Sequence, residues 1–212
     1  MKAIVLTLSA AKDLDALPRD SREQVEVGLQ RYAMTGQGDV RPLQGRSGYR
    51  LRVGSYRVII DEDATTILAI YIGRRTTATY QRNRAMNAPQ IILTPGGEEL
   101  VVLPRADYEA LLARIDHETD DVDDVAIYDA RKAELAAGGG SLPPEVSAAV
   151  LRGDSRLKAI RKWRDVTQQH LELKTGISQG YLSDLESGRR AGTGETLAKL
   201  AEALEIPVAW LS

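Results

Sequence analysis

The segment YRLRVGSYRVII, residues 49–60, restricts the fold of this chain more than any other part of its sequence. Residues 49–53 alternate between apolar and polar side chains, and residues 56–60 resume as a strand. Gly54-Ser55, which lies between them, is typical of a two-residue hairpin turn. Since a two-residue turn allows one register only, the segment predicts a tight hairpin whose facing residues are known in advance.

The predicted register places like charges next to each other. It sets Val53 opposite Tyr56, Arg52 opposite Arg57, and Leu51 opposite Val58. Because directly opposed residues share a face of the sheet, Arg50, Arg52 and Arg57 are expected on the same side. Like charges that face each other destabilise a sheet, so we expect this surface to bind an anion.

Residues 1–81 are predicted to form a small α+β domain around the hairpin, in the order β-α-α-β-β-β with an antiparallel sheet. The other predicted elements are a strand over residues 2–8, a helix over 10–17 that Ser9 caps and Pro18 ends, a second helix that runs from the capping box Ser21-x-x-Gln24 to about Gly36, and a strand over Thr66–Ile72.

The middle of the chain is predicted to be a linker followed by a small hairpin-helix unit. Residues 82–90 carry no periodicity and are interpreted as the linker. The elements expected in residues 91–140 are a hairpin turned at Pro95-Gly96-Gly97, a helix from Arg105, the acidic run DHETDDVDD at 116–124, and a helix over Asp124–Ala136.

Residues 141–155 are interpreted as a connecting helix, and residues 156–212 as an all-α domain. Thr167 and Ser178 are expected to cap two short helices, and Gly176 is expected to end the first of them. A short helix, a glycine turn and a second short helix are the layout of a helix-turn-helix.

Charge is segregated along the chain, although the net charge is only −2. Residues 1–85 carry a net charge of +5, residues 86–150 carry −9, and residues 151–212 carry +2. Such asymmetry indicates separate parts with separate partners, and the acidic middle is an electrostatic counterpart to the basic first part.

The composition also excludes several classes of site. The chain has no cysteine, and its two histidines, His117 and His170, are far apart in sequence. We therefore expect no metal and no cofactor. No apolar run is long enough to span a membrane, so a cytoplasmic protein is expected.

The segment TQQHLELKTGISQGYLSDLESGRRAGTGETLAKLAEALEI resembles the Cro/repressor-like (XRE) helix-turn-helix family. The resemblance implies operator DNA as a partner, and with a charge of only +2 a homodimer on a palindromic site is expected. The residues that the resemblance places near base edges are Ser178, Gln179, Tyr181 and Asp184. Gln168 is expected to contact a phosphate or a base. The candidates for phosphate contacts are Lys158, Lys162, Arg189 and Arg190.

The order strand, helical hairpin, YRLRVGSYRVI and a strand that ends in IGRRTTATY resembles the RelE/ParE toxin superfamily over residues 2–80. Members either cleave mRNA in the ribosomal A site, as RelE does, or inhibit DNA gyrase, as ParE does. The RelE-like catalytic set falls on Arg50, Arg52, Arg57, Arg75 and Tyr80. Arginines on an exposed strand are also compatible with a solvated surface or with a platform for ion pairs inside the protein.

The middle region is similar to the N-terminal part of antitoxins that precede an XRE domain. Its acidic run is interpreted either as a phosphate mimic over the arginines or as a solvated spacer. The residues expected to neutralise the toxin are Leu111, Leu112, Ile115, Asp116, Glu118, Asp120, Asp121, Asp123, Asp124 and Tyr128.

The sequence therefore predicts a fused toxin–antitoxin protein. Its first domain is expected to be a latent mRNA endoribonuclease that acts on ribosome-bound mRNA when uncovered, and its last domain an autorepressor. Two alternatives stay open: a transcription regulator with an inactive RelE-like module, and a ParE-like gyrase inhibitor.

Overall fold

The computed structural model describes residues 2–74, 90–93 and 99–211, and for residues 90–93, 99 and 110–121 it describes the backbone only. The first part of the chain contains β1 (Ala3–Leu6), α1 (Leu8–Asp15), α2 (Arg19–Thr35), β2 (Asp39–Pro42), β3 (Tyr49–Val53), β4 (Tyr56–Glu62) and β5 (Thr66–Arg74). An α+β domain is thus formed where the sequence predicted one.

The five strands form one mixed sheet in the order β1-β5-β4-β3-β2. The strand β1 runs parallel to β5, with Ala3 opposite Thr66, and the other neighbours are antiparallel. The prediction of a purely antiparallel sheet is therefore wrong at this edge, and the edge strand β2 was not predicted. Parallel pairing joins segments far apart in sequence and leaves no local turn signal, which is why the hairpin pattern did not reveal it.

Both helices of the first domain begin earlier than predicted. Thr7, not Ser9, caps α1, because its hydroxyl accepts a hydrogen bond from the Ala10 N–H at 3.1 Å. The helix α2 begins directly after Pro18, whose fixed φ suits the residue that precedes a helix. Ser21 makes no capping box, since its hydroxyl accepts a hydrogen bond from Tyr56 at 2.9 Å.

The middle region contains a short antiparallel hairpin and one long helix. The hairpin pairs β6 (Gln90–Leu93) with β7 (Glu99–Val102), and its predicted turn lies outside the described residues. The helix α3 runs from Arg105 to Ala136 without a break, so the prediction of two helices separated by the acidic run at 116–124 is wrong. The segment has neither glycine nor proline, and aspartate lowers helix propensity by less than about 1 kcal/mol per residue.

The connecting segment is built into the first domain. Its helix α4 is shorter than residues 141–155 and spans Pro144–Val150. The Leu142 N–H donates to the Leu6 carbonyl at 2.9 Å, and the Leu6 N–H donates to the Ser147 hydroxyl at 3.1 Å. The segment therefore satisfies the backbone of β1 at Leu6, so no solvent-exposed strand edge is left there.

The last part of the chain is helical, as predicted. It contains α5 (Arg156–Trp163), α6 (Gln168–Thr175), α7 (Gln179–Glu186), α8 (Gly194–Ala203) and a short 3₁₀ turn at Val208–Trp210. The caps at Thr167 and Ser178 are confirmed, and Gly176 ends α6 in the left-handed region at φ 71°. Among the residues that the structure describes, no helix is long and apolar enough to cross a membrane.

Two apolar clusters occupy opposite faces of the sheet. The larger lies between the sheet, α1 and α2, and continues through α4 into the helical domain. The smaller lies on the other face and consists of Leu43, Ile59, Ile70 and Tyr128, so its last member comes from α3. The arginine face of the sheet is thus the face that α3 covers.

Replacing Leu142 by alanine tests whether the connecting segment belongs to the core of the first domain. Leu142 is 1% exposed, so Leu142→Ala is expected to lower the free energy of unfolding by about 2–5 kcal/mol. Urea unfolding followed by circular dichroism measures the change. Leu173, which is 80% exposed, supplies the matched control, and Leu173→Ala is expected to change the stability by less than about 0.5 kcal/mol. Equal effects of the two substitutions would contradict this packing.

Candidate functional site

The arginine hairpin has the register that the sequence predicted. Arg52 lies opposite Arg57, and Arg50 lies opposite Ile59, so the three arginines share one face of the sheet. Their exposure differs, because Arg50 and Arg57 are almost completely buried whereas Arg52 is half-buried. Burial of two guanidinium groups on neighbouring strands is costly without an anion between them.

That anion is the carboxylate of Asp124 in α3. Arg50 Nη1 donates to Asp124 Oδ2 at 2.6 Å, and Arg57 Nη1 lies 3.0 Å from Asp124 Oδ1. Asp124 is 0% exposed and Arg50 is 2% exposed. Each oxygen of one carboxylate thus meets a different guanidinium group, in a place where water does not screen the charges.

Polar contacts in the two helical turns that follow Asp124 also hold α3 across the sheet. The Tyr128 hydroxyl donates to Asp61 at 2.9 Å, and Lys132 contacts the other oxygen of Asp61 at 2.7 Å. Arg46 binds both oxygens of Asp129 at 2.7 Å. These hydrogen bonds raise the pKa of Lys132 and lower the pKa of Asp129, which keeps both groups charged.

The end of α3 is tied to the first helix of the chain. Arg131 Nη2 lies 3.1 Å from both carboxylate oxygens of Asp13, and the Ile72 N–H also donates to Asp13. Burial raises the pKa of the Asp13 carboxyl, against the opposing effect of these donors. Glu134 accepts a hydrogen bond from the Ser9 hydroxyl, which lowers the pKa of Glu134.

Gly48 allows the Tyr128 ring to approach the sheet. A Cβ atom at position 48 would lie 2.4 Å from Cε2 of Tyr128, so the ring rests directly on bare backbone. This close approach sets the rotation of α3, and the rotation brings Asp124, one turn earlier, over the arginines.

Several predicted site residues lie outside the part of the chain that the structure describes. Arg75 and Tyr80 are not among the described residues, and the same holds for the side chains of Leu111, Leu112, Ile115, Asp116, Glu118, Asp120 and Asp121, whose backbone lies in α3. Of the predicted acidic residues with described side chains, Asp123 is exposed and Asp124 is buried.

Sequence reasoning missed the contacts that the part of α3 after Asp124 makes with the first domain. Arg46, Asp61, Asp129, Arg131 and Lys132 were not predicted to belong to the site. The spacing of Asp124, Tyr128 and Arg131 by four and three residues was a usable signal, since it places them on one face of a helix.

The second candidate surface is the helix-turn-helix formed by α6 and α7. Ser178, Gln179 and Tyr181 lie at the start of α7, where Gln179 is exposed and Ser178 accepts a hydrogen bond from the Tyr181 N–H. A Cβ atom built on Gly180 would meet no other atom within 4 Å, so no side chain covers that position of α7.

The remaining predicted DNA contacts make ion pairs or hydrogen bonds within the domain. Lys158 and Lys162 both contact Asp154, at 2.7 and 3.0 Å. Arg189 and Arg190 contact Asp184, at 2.8 and 3.6 Å. Gln168 donates to Glu186 at 2.9 Å. Glu186 also accepts a hydrogen bond from Arg161, and this bond raises the pKa of Arg161.

Comparison with known proteins identifies the last part of the chain. A helix-turn-helix family model matches residues 157–211. The curated protein y4dJ of Sinorhizobium fredii (strain NBRC 101917 / NGR234), described as an uncharacterized HTH-type transcriptional regulator, is 44% identical over 52 residues. The match covers 24% of this chain and 68% of that relative.

Two solved structures are similar to about a third of the chain. The RelB–RelE antitoxin–toxin complex from Methanococcus jannaschii matches with 22% identity and a TM-score of 0.30, over 34% of this chain and 89% of that chain. The toxin–antitoxin complex RelBE2 from Mycobacterium tuberculosis matches with 19% identity and a TM-score of 0.28, over 35% of this chain and 98% of that chain.

Removing the Asp124 carboxylate is expected to destabilise the protein strongly. Asp124→Ala leaves two buried guanidinium groups without their shared anion, so the free energy of unfolding should fall by about 3–5 kcal/mol. Asp123→Ala removes the same charge from an exposed position of the same helix, and a change within about 0.5 kcal/mol is expected. Chemical denaturation of both variants checks the difference, and similar values would show that the buried contact contributes little.

Proposed function

The chain belongs to the helix-turn-helix family of transcription regulators through residues 157–211, and from this premise we propose that it is a fused toxin–antitoxin protein. In this proposal the first domain is a RelE-like endoribonuclease that cuts ribosome-bound mRNA. The helix α3 keeps it inactive, and the last domain binds operator DNA and represses its own transcription.

The observation that carries the toxin part is the position of Asp124 between Arg50 and Arg57. A carboxylate presents two anionic oxygens to two forked donors, as a phosphate does. Arginine stays charged at every relevant pH and binds carboxylate and phosphate in the same geometry. In our proposal, Asp124 therefore occupies the place of a substrate phosphate.

Cleavage of RNA through its 2′-hydroxyl makes three chemical demands. A base must take the proton of the 2′-hydroxyl, the pentacovalent phosphorane dianion must be stabilised, and the 5′-oxygen must receive a proton as it leaves. Arg50, Arg52 and Arg57 suit the second demand, together with Arg75 of the predicted set. Residues 1–85 contain no histidine, so proton transfer has to come from other groups, and we propose Tyr80 and positioning by the ribosome.

In this proposal the ribonuclease is inactive because α3 covers Arg50 and Arg57 in the same chain. The helix α3 ends at Ala136, and Leu142 is already bonded to Leu6 of β1, so α3 is tethered closely to the sheet that it covers. A short tether gives an effective concentration of order mM, so modest affinity suffices to keep the site covered. The net charge of −9 in residues 86–150 against +5 in residues 1–85 favours the covered state.

The DNA-binding part of the proposal relies on α7 and its exposed N-terminal end. In helix-turn-helix proteins the first residues of the second helix meet base edges in the major groove, and here these are Ser178, Gln179 and Tyr181. The ion pairs of Lys158, Lys162, Arg189 and Arg190 are at the surface and exchange readily for phosphate contacts. We propose a homodimer on a palindromic operator.

A second candidate function is a transcription regulator with an inactive RelE-like module. The burial of the Arg50–Asp124 pair favours it, since a permanent ion pair inside a domain has the same geometry. A ParE-like gyrase inhibitor is the third possibility. The three candidates predict different phenotypes for a cell in which α3 is forced off the arginine face.

Reversing the charge of Asp124 in the full chain tests the toxin proposal. Asp124→Arg repels α3 from Arg50 and Arg57, and its expression in bacteria is expected to arrest growth with new 5′ ends in mRNA. The arrest should disappear when Arg57→Ala is added. Asp123→Arg makes the same charge change at an exposed position and should leave growth normal.

The alternatives predict different results in this experiment. Normal growth with a folded Asp124→Arg protein would favour the inactive module and contradict the toxin proposal. Arrest with altered plasmid supercoiling and intact mRNA would favour the gyrase inhibitor.

Replacing Gln179 tests the operator-binding proposal. Gln179→Ala is expected to reduce discrimination at one base pair of the operator by roughly 1–3 kcal/mol. Competition binding with single-base operator variants, at one fixed salt concentration, measures this loss. Leu173→Ala, an exposed change on α6, serves as the control. Unchanged affinity and specificity of Gln179→Ala would count against the assignment of α7.

A further inference from the structure

A tyrosine that the predicted catalytic set does not include lies on the arginine face of the sheet. In the β4–β5 ladder Tyr71 lies opposite Ile59, and Gly73 lies opposite Arg57. Since Ile59 also faces Arg50, two neighbouring rows cross the sheet. One row contains Arg50, Ile59 and Tyr71, and the next contains Arg52, Arg57 and Gly73.

The Tyr71 phenol reaches from its own row into the arginine row. A Cβ atom built on Gly73 would lie 2.0 Å from the Tyr71 hydroxyl oxygen, so the phenol occupies the space that a side chain at position 73 would take. Opposed Cα atoms of antiparallel strands are about 4.5–5.5 Å apart. The hydroxyl group therefore lies directly beside the start of the Arg57 side chain.

Gly73 is the feature that makes this arrangement specific. Glycine in the interior of a strand weakens it and often marks a place where another group approaches the backbone closely. Here that group is a phenol from the same strand, two residues earlier. A tyrosine with a purely packing role would not need its hydroxyl in the row of Arg52 and Arg57.

The helix that covers the arginine pair also covers this ring. The Arg131 guanidinium carbon lies 5.6 Å from the centre of the Tyr71 ring, and Arg131 is two helical turns after Asp124. A guanidinium group within about 6 Å of a ring centre makes a cation–π contact with the aromatic face. The face of Tyr71 is thus available to a planar group whenever α3 leaves.

We infer that Tyr71 contacts the substrate of the proposed ribonuclease, which is single-stranded RNA. Its hydroxyl donates a hydrogen bond to the phosphate held by Arg57, and its ring stacks under a base that takes the place of Arg131. On this view two side chains of α3 occupy the places of two parts of a nucleotide: the Asp124 carboxylate replaces the phosphate, and the Arg131 guanidinium replaces the base. The inference rests on the proposed function, because it requires the arginine face to bind RNA.

The test measures binding of a fluorescently labelled single-stranded RNA oligonucleotide to the full chain at one fixed salt concentration. Asp124→Arg, which repels α3 from Arg50 and Arg57, serves as the parent, and Asp124→Ala, which only removes the carboxylate, serves as a second parent. In either parent Tyr71→Leu should lower the affinity about fiftyfold, through loss of stacking and of the hydrogen bond. Tyr71→Phe keeps the ring and should lower it about fivefold. Tyr49→Phe, on the opposite face of the sheet, should leave it unchanged.

The outcomes separate this inference from the function on which it rests. If Arg57→Ala abolishes RNA binding in both parents while Tyr71→Leu does not change it, the role of Tyr71 is overturned and the arginine site stands. If Tyr71→Leu weakens binding and Tyr71→Phe does not, the ring contact is supported and the hydroxyl contact is overturned. If neither parent binds RNA more tightly than the unmodified chain, the proposed function fails and the role of Tyr71 fails with it.

Discussion

The carboxylate of Asp124 between Arg50 and Arg57 is the contact on which the packing of α3 against the five-stranded sheet depends. Two guanidinium groups buried on adjacent strands repel each other and have lost their hydration, so the sheet face is stable only with an anion on it. The chain supplies this anion from α3. The same contact therefore stabilises the folded protein and, in the proposed function, blocks the place of a phosphate.

The position of α3 is determined by shape as well as by charge. The ion pairs that Asp129, Lys132 and Arg131 make with the first domain are partly exposed, and each pair of that kind contributes little to stability. The Tyr128 ring, in contrast, rests on the bare backbone of Gly48 and joins an apolar cluster with Leu43, Ile59 and Ile70. Apolar packing thus sets the rotation of the helix, and the rotation places Asp124 rather than its exposed neighbour Asp123 against the arginines.

The difference between local contacts and packing between distant segments explains what the sequence predicted and what it did not. The hairpin register and the caps at Thr167 and Ser178 were predictable because a two-residue turn and a cap are decided by a few neighbouring residues. The parallel pairing of β1 with β5, the unbroken helix α3 and the burial of Asp124 rather than Asp123 depend on packing between distant segments. An acidic run shows that a carboxylate is available, but it does not show which one the rotation of the helix selects.

If the chain is a fused toxin–antitoxin protein, as we propose, the fusion changes how α3 can act as an inhibitor. A cut in the predicted linker at residues 82–90 would not free the first domain, because Leu142 and Ser147 still bond to Leu6 of β1 and Leu142 and Val146 are buried in the core. The arginine face can be uncovered while α4 stays bound, if α3 moves about the glycines at 138–140, where Gly138 has a φ of 103°. In the proposed function, control therefore concerns the equilibrium between docked and undocked α3, and a signal that uncovers the arginines acts on that equilibrium rather than on the dissociation of two proteins.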